Sequence, residues 1–112
     1  MASSPFVSVR TDLFTVVFTL GEDDEPETVE DADAVITAPN GTRWSASFMT
    51  LRKVQEVMDR WIATGENVNG HYFQSRDLVI VREGGVESMV SALKGIFGDY
   101  GMDTYVLPRL DD

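Results

Sequence analysis

The segment Tyr72 to Arg82, YFQSRDLVIVR, decides how the fold is read. Its second half, Leu78-Val79-Ile80-Val81, is a β-rich run that is apolar at every position. Side chains alternate across a strand, so such a run predicts protein on both of its faces. The two strongest helix patterns of the chain flank it. This reading places the segment at the centre of a sheet.

The helix before it is predicted over Leu51 to Thr64. Leu51, Val54, Val57, Met58, Trp61 and Ile62 recur at helical spacing, with Arg52, Lys53, Gln55, Glu56, Asp59 and Arg60 on the other side. Thr50 stands where an N-cap is needed and Gly65 where a left-handed C-cap is needed. Asn67-Val68-Asn69-Gly70 reads as the loop into the strand. The helix after it runs from Val86 to Phe97, introduced by Gly84-Gly85 and ended by Gly98. Its stripe is Val86, Met89, Val90, Leu93, Ile96 and Phe97.

Further out, Leu13 to Leu20 predicts a strand with Phe14, Val16, Phe18 and Leu20 on the core face, and Phe6 to Arg10 reads as the start of another. Ala34 to Ala38 and Arg43 to Met49 alternate around Asn40-Gly41, a dipeptide suited to the positive φ angles of a type I′ hairpin turn. In the second arm Trp44, Ala46 and Phe48 point inward. At the other end, Thr104 to Leu107 is an optional last strand, confined to an edge by Pro108. The predicted fold class is α+β: an antiparallel or mixed sheet of four to five strands with two amphipathic helices on one face, ordered β-β-β-α-β-α. Residues 6 to 110 form one domain after a disordered lead of residues 1 to 5, with no internal repeat and no linker.

Composition supports a packed core, since hydrophobic residues make up 43% of the 112 and fall in periodic segments. There is no cysteine, which excludes a disulfide framework, a thiolate metal site and a thiol nucleophile, and fits a reducing compartment. No apolar run has the length of a membrane span, and the N-terminus lacks a signal-peptide pattern. The expected location is the cytoplasm, and Asn40-Gly41-Thr42 reads as a turn rather than a glycosylation site.

The net charge of −10 is concentrated. Residues 22 to 33, EDDEPETVEDAD, hold eight acids and no base, leaving eleven acids against nine bases elsewhere. A body this close to neutral with one acidic loop does not suit nucleic-acid or anionic-membrane binding, which need basic surfaces. The loop residues Glu22, Asp23, Asp24, Glu25, Glu27, Glu30 and Asp31 are the first candidates for function. A solvated loop that keeps the chain dispersed is the plainest reading. A contact for a basic protein partner, or a mimic of a nucleic-acid backbone, is the second. A Ca²⁺ or Mg²⁺ site is the third, without the spacing of an EF-hand.

A second candidate is a small-molecule or metal pocket near His71, Tyr72, Arg76 and Asp77. His71 is the only histidine, so a zinc site would lack ligands. Trp44, Phe48, Trp61 and Phe73 read as core aromatics, and Arg76 with Asp77 as a surface ion pair. Ser91-Ala92-Leu93-Lys94 spells the S-x-x-K of penicillin-recognising enzymes, but inside a helix pattern and without companion motifs. No Walker loop, dinucleotide fingerprint or nucleophile elbow is present. No catalytic residue, metal or cofactor is therefore expected.

The runs RWSASFMT, MDRW, TGE and HYFQSRDLVIVRE, spanning about residues 40 to 83, give the chain a pattern that resembles small stand-alone bacterial proteins of unknown function, of the kind found in actinobacteria. The resemblance carries no catalytic motif. Some small acidic α+β proteins of this sort are immunity proteins that neutralise a toxin by binding it. The expected function is accordingly non-enzymatic: a protein-binding or regulatory domain of immunity type, contacting its partner through the acidic loop. The Thr104 to Leu107 edge could in addition pair two copies into a homodimer.

Overall fold

The computed structural model describes residues 5–110. Four strands come first: β1 (Phe6–Arg10), β2 (Thr15–Thr19), β3 (Asp31–Thr37) and β4 (Arg43–Thr50). Helix α1 (Leu51–Thr64), a short turn α2 (Glu66–Gly70), strand β5 (Leu78–Val81) and helix α3 (Val86–Tyr100) follow. The sheet runs β1-β2-β3-β4-β5, antiparallel throughout except for the parallel pair β4–β5. The α+β class and the mixed five-stranded sheet are as the sequence predicts. A fourth strand precedes α1 because Thr11 to Phe14 forms a turn that separates β1 from β2, with Thr11 N–H donating to Phe14 O at 2.8 Å.

Strand β5 is at the edge of the sheet rather than at its centre. A parallel partner needs a crossover, here α1 and α2, and the crossover lands β5 outside β4, with no strand beyond it among the described residues. Its two-sided apolar pattern does not report two-sided burial: Val81 is buried, yet Ile80 is 48% exposed. Residues 72 to 77 are irregular, so the strand is only four residues long.

The β3–β4 hairpin forms at the expected place with another turn. Gly41 N–H bonds Ala38 O at 2.9 Å, and Gly41 alone among the hairpin residues has a positive φ, 92°. A type I′ turn needs positive φ at both central residues, but Pro39 sits at the first corner with φ fixed near −65°. The turn is closed instead by Thr42 N–H donating to the Asn40 side chain at 3.0 Å.

The core lies on one face of the sheet. Phe14, Val16, Phe18, Ile36, Trp44 and Phe48 project into it and meet α3, whose Val86, Met89, Val90, Leu93 and Phe97 are buried. Phe97 is the wedge, its ring 5.6 Å from Phe14 and 4.9 Å from Trp44. The α1 stripe behaves differently. Its caps are those predicted, with Thr50 Oγ1 accepting from Lys53 N–H and Gly65 in the left-handed region at φ 84°. Only Val57 of the stripe is buried, and it stands outside the core cluster; Leu51 is 57% and Ile62 63% exposed. Trp61 and Phe73, read as core aromatics, stack on each other with ring centres 5.2 Å apart and are only half-buried.

Thr104 to Leu107 forms no strand. The C-terminal segment instead closes the first half of β4: Ser45 N–H bonds Pro108 O and Leu110 N–H bonds Arg43 O, both at 3.0 Å. Leu107 and Thr104 are buried by this contact, and the Trp44 indole N–H donates to Thr104 O at 3.2 Å. Of the expected lead, only Pro5 is among the described residues; its carbonyl accepts from Leu20 N–H at 2.8 Å and extends the β1–β2 ladder. No helix among the described residues is long and apolar enough to cross a membrane.

Candidate functional site

The acidic stretch is part loop and part strand. Asp31, Ala32 and Asp33 belong to β3 and pair with Met49, Phe48 and Ser47. The remainder is a structured connection, not a loose one. Asp24 folds back so that its carboxylate accepts Gly21 N–H at 2.9 Å, and Val29 N–H closes a helical turn onto Glu25 O at 2.9 Å. Val29 is the anchor, 2% exposed in an otherwise polar run.

Two helix N-termini hold this connection. At α3, Gly85 N–H donates to Val29 O and Val86 N–H to Pro26 O, each at 2.8 Å. These are N–H groups that a helix cannot satisfy internally. At α1, the buried cap Thr50 donates its hydroxyl to Glu30 Oε1 at 2.9 Å, and its N–H to Glu30 O at 3.0 Å. Arg52 adds a two-pronged ion pair, with Nε on Oε1 at 3.0 Å and Nη2 on Oε2. Helix N-termini carry partial positive charge, which offsets the repulsion within a block of acids.

The result is an open concavity of about 860 Å³. Its lining includes Asp23, Asp24, Glu25, Glu27, Glu30, Asp31 and Asp33, with Arg52 and Lys53 as the cations and Gly84 at the α3 end. Six of the seven proposed contact residues lie on this wall; Glu22 is exposed beside it. Asp33 was missed as a candidate because its place in β3 shows only in the pairing; its carboxylate accepts from Ser47 Oγ at 3.0 Å.

The carboxylates differ in their surroundings. The Arg52 guanidinium holds Glu30 below the usual carboxylate range, with partial burial opposing and the Thr50 hydroxyl assisting. Asp31 is raised: burial disfavours its charge, and Asp33 and Asp24 add to that, while Lys53 and Arg60 only partly compensate. Ionised Asp31 therefore destabilises the fold above its folded pKa, and the penalty is relieved as pH falls through that value. Asp31→Asn is expected to raise Tm near pH 7 and to match the wild type at about pH 3, where both side chains are uncharged. Calorimetry at the two pH values checks this; a gain that persists unchanged in acid contradicts it.

No set of three or more His, Asp or Glu side chains among the described residues is arranged to hold a metal ion, this wall included. The carboxylates are spread along a surface, not gathered around a point.

The second candidate group is His71, Tyr72, Arg76 and Asp77. His71 and Arg76 are exposed, Tyr72 is 46% exposed, and no hydrogen bond or ion pair joins the four side chains among the described residues. Asp77 turns toward hydroxyls instead of pairing with Arg76. Burial pushes its carboxyl up, but the Ser75 hydroxyl donating to its Oδ1 at 2.9 Å, with the polar surroundings of Ser45, Ser47 and its own backbone N–H, outweighs this and leaves it below the ordinary value. Its carbonyl also accepts from Ser47 N–H at 2.8 Å, so Asp77 fixes the start of β5 on β4.

Upstream, α2 is one turn of left-handed helix, with φ of 50°, 53° and 58° at Asn67, Val68 and Asn69. Asn tolerates this region and a β-branched residue does not. Gly70 ends the turn against α1, where a Cβ would run into the Met58 carbonyl oxygen. Comparison with protein-family models, with curated proteins and with solved structures found no match to this chain.

Proposed function

We propose that this protein is a non-enzymatic binding domain whose partner is a basic protein, and that the wall built from residues 22 to 33 is the contact. A regulatory role of immunity type, in which occupying the partner is itself the function, suits such a domain acting in the cytoplasm. The observation that supports this reading is the anchoring of the acidic segment to the N-termini of α1 and α3. A segment that only confers solubility needs no fixed shape, whereas ordering a charged surface before binding lowers the entropy cost of association. Opposite charge on the partner would also speed encounter.

The test leaves the anchors intact. Asp24 and Glu30 hold Gly21, Thr50 and Arg52, so they are kept, and Glu22, Asp23, Glu25 and Glu27 are changed to Ser. Wild type and variant are used to capture proteins from lysate of the source organism at low salt. The expected result is a basic protein retained by wild type alone, with an association rate that falls steeply as salt is added. Capture of the same protein by both would remove the wall from the contact. Capture by neither would overturn the partner reading.

A further inference from the structure

The outer edge of β1 is a second surface, chemically unrelated to the acidic wall. Its pairing with β2 fixes which way each peptide group points. Leu20 N–H bonds Pro5 O and Thr11 N–H bonds Phe14 O, with Val7 opposite Phe18 and Val9 opposite Val16 between them. Hydrogen-bonded and non-bonded pairs alternate in an antiparallel ladder. Val7 and Val9 thus direct their N–H and C=O groups to β2, and Ser8 and Arg10 direct theirs outward. No strand follows β1 on that side among the described residues.

Exposed edges are normally blunted by a bulge, an internal Pro, a Lys or a covering segment. The register of β1 is regular through all five residues, none of the five is Pro, and its one charged residue, Arg10, stands at the end of the strand and not at its middle. On the other side of the sheet the C-terminal segment bonds the first half of β4.

We propose that β1 pairs antiparallel with β1 of a second copy about a two-fold axis at Ser8, joining two sheets into one. The register makes the strand complementary to itself. Ser8 meets Ser8 as a hydrogen-bonded pair, and Val7 meets Val9 of the second copy as a non-bonded pair, the type in which side chains approach most closely. Val7 and Val9 pack on the core from its rim and are left half-buried, so each covers the other.

Charge agrees with this partner. The Phe6 end of β1 lies against Thr19, three residues before the acidic segment begins, and the Arg10 end lies against Thr15, where Arg10 and Lys94 outnumber the single acid Asp12 in the same cleft. A two-fold axis at Ser8 carries each Arg10 to the acidic end of the other copy. It also separates the two acidic ends by about four residues of strand, roughly 14 Å, which exceeds the screening length of about 8 Å at physiological salt. The net charge of −10 per chain therefore does not oppose this arrangement as it would a face-to-face one.

The experiment is light scattering on the full chain, with two variants. Ser8→Pro removes the outward N–H without touching a β1–β2 bond, and Ser8→Lys sets like charges across the axis on the solvent side. The expected result is a two-chain mass for wild type at micromolar concentration and a one-chain mass for both variants, with unchanged circular dichroism. If Ser8→Pro perturbs the fold, Ser8→Lys alone decides. A one-chain mass for wild type, or a two-chain mass that survives Ser8→Lys, overturns the proposal.

Discussion

Replacing Gly85 by alanine is expected to lower the unfolding free energy by about 2–4 kcal/mol. Two penalties coincide at this position. Gly85 has a φ of 102°, outside what an L side chain adopts readily, and a Cβ there would lie 2.6 Å from Glu27 O. The second penalty cannot be relieved by a rotamer change, because the obstruction is backbone. Moving the backbone apart breaks the Gly85–Val29 and Val86–Pro26 hydrogen bonds that dock the acidic connection on α3. On the proposed reading, a fall in Tm of roughly 10 °C should be accompanied by weaker binding of a basic partner, although no charge has changed. Gly95→Ala is the control: nothing lies within 4 Å of its Cβ, and the helix interior favours Ala by about 0.5–1 kcal/mol. Urea unfolding of the two variants checks the account. A neutral Gly85→Ala would mean that the connection is not held by this contact.

Trp44 is the other position where a large effect is expected. Its side chain is fully buried, touches Phe97 edge-on and donates to Thr104 O. Trp44→Ala should cost about 3–5 kcal/mol through the cavity alone, a large share of the 5–15 kcal/mol typical of a domain. Trp44→Phe separates the two contributions. It keeps most of the apolar volume but leaves the Thr104 carbonyl without its donor in a buried site, a loss of about 1–3 kcal/mol. The loss should be local as well as global, because Thr104 belongs to the segment that closes β4. Hydrogen exchange at Val106 and Leu110 N–H should accelerate in Trp44→Phe more than exchange in β2. Uniform acceleration would show that the indole N–H contributes only to overall stability.

Much of the fold was legible because local chemistry and tertiary packing agree. Phe14, Val16, Phe18 and Leu20 alternate as a strand should and are all buried. Thr50 caps α1 with its hydroxyl, and Gly65, which has no Cβ, caps it with a left-handed backbone. The misplacement of β5 has a clear cause: Leu78 to Val81 carries apolar residues on both faces, and sequence does not say whether the neighbour of a strand is another strand or the solvent. The turn at Asn40-Gly41 was misread because Pro39, one residue earlier, outranks the dipeptide. The α1 stripe is periodic enough to predict a helix, but periodicity is silent on how deeply a stripe is buried.

For the candidate site, the charge was obvious and the shape was not. Nothing within residues 22 to 33 announces that Pro26 and Val29 will accept hydrogen bonds from Gly85 and Val86. One signal was available, the lone Val29 in an acidic run, since an isolated apolar residue among charges has a reason to be buried. Gly84-Gly85 was readable only as a turn. Its actual role is close approach, with a Gly84 Cβ falling 2.8 Å from Thr28 O and 2.9 Å from Val29 O.

That separation along the chain has a further consequence. The eight acids of residues 22 to 33 are synthesised early and Thr50 and Arg52 of α1 follow soon after, but the N–H groups that dock Pro26 and Val29 arrive with α3, more than fifty residues later. A nascent or clipped chain that stops before Gly85 carries the full charge without the docked wall. Charge alone attracts any basic surface, whereas the docked wall is complementary to fewer. On the proposed reading, selectivity is withheld until translation has passed α3, so that recognition of a basic partner follows completed folding.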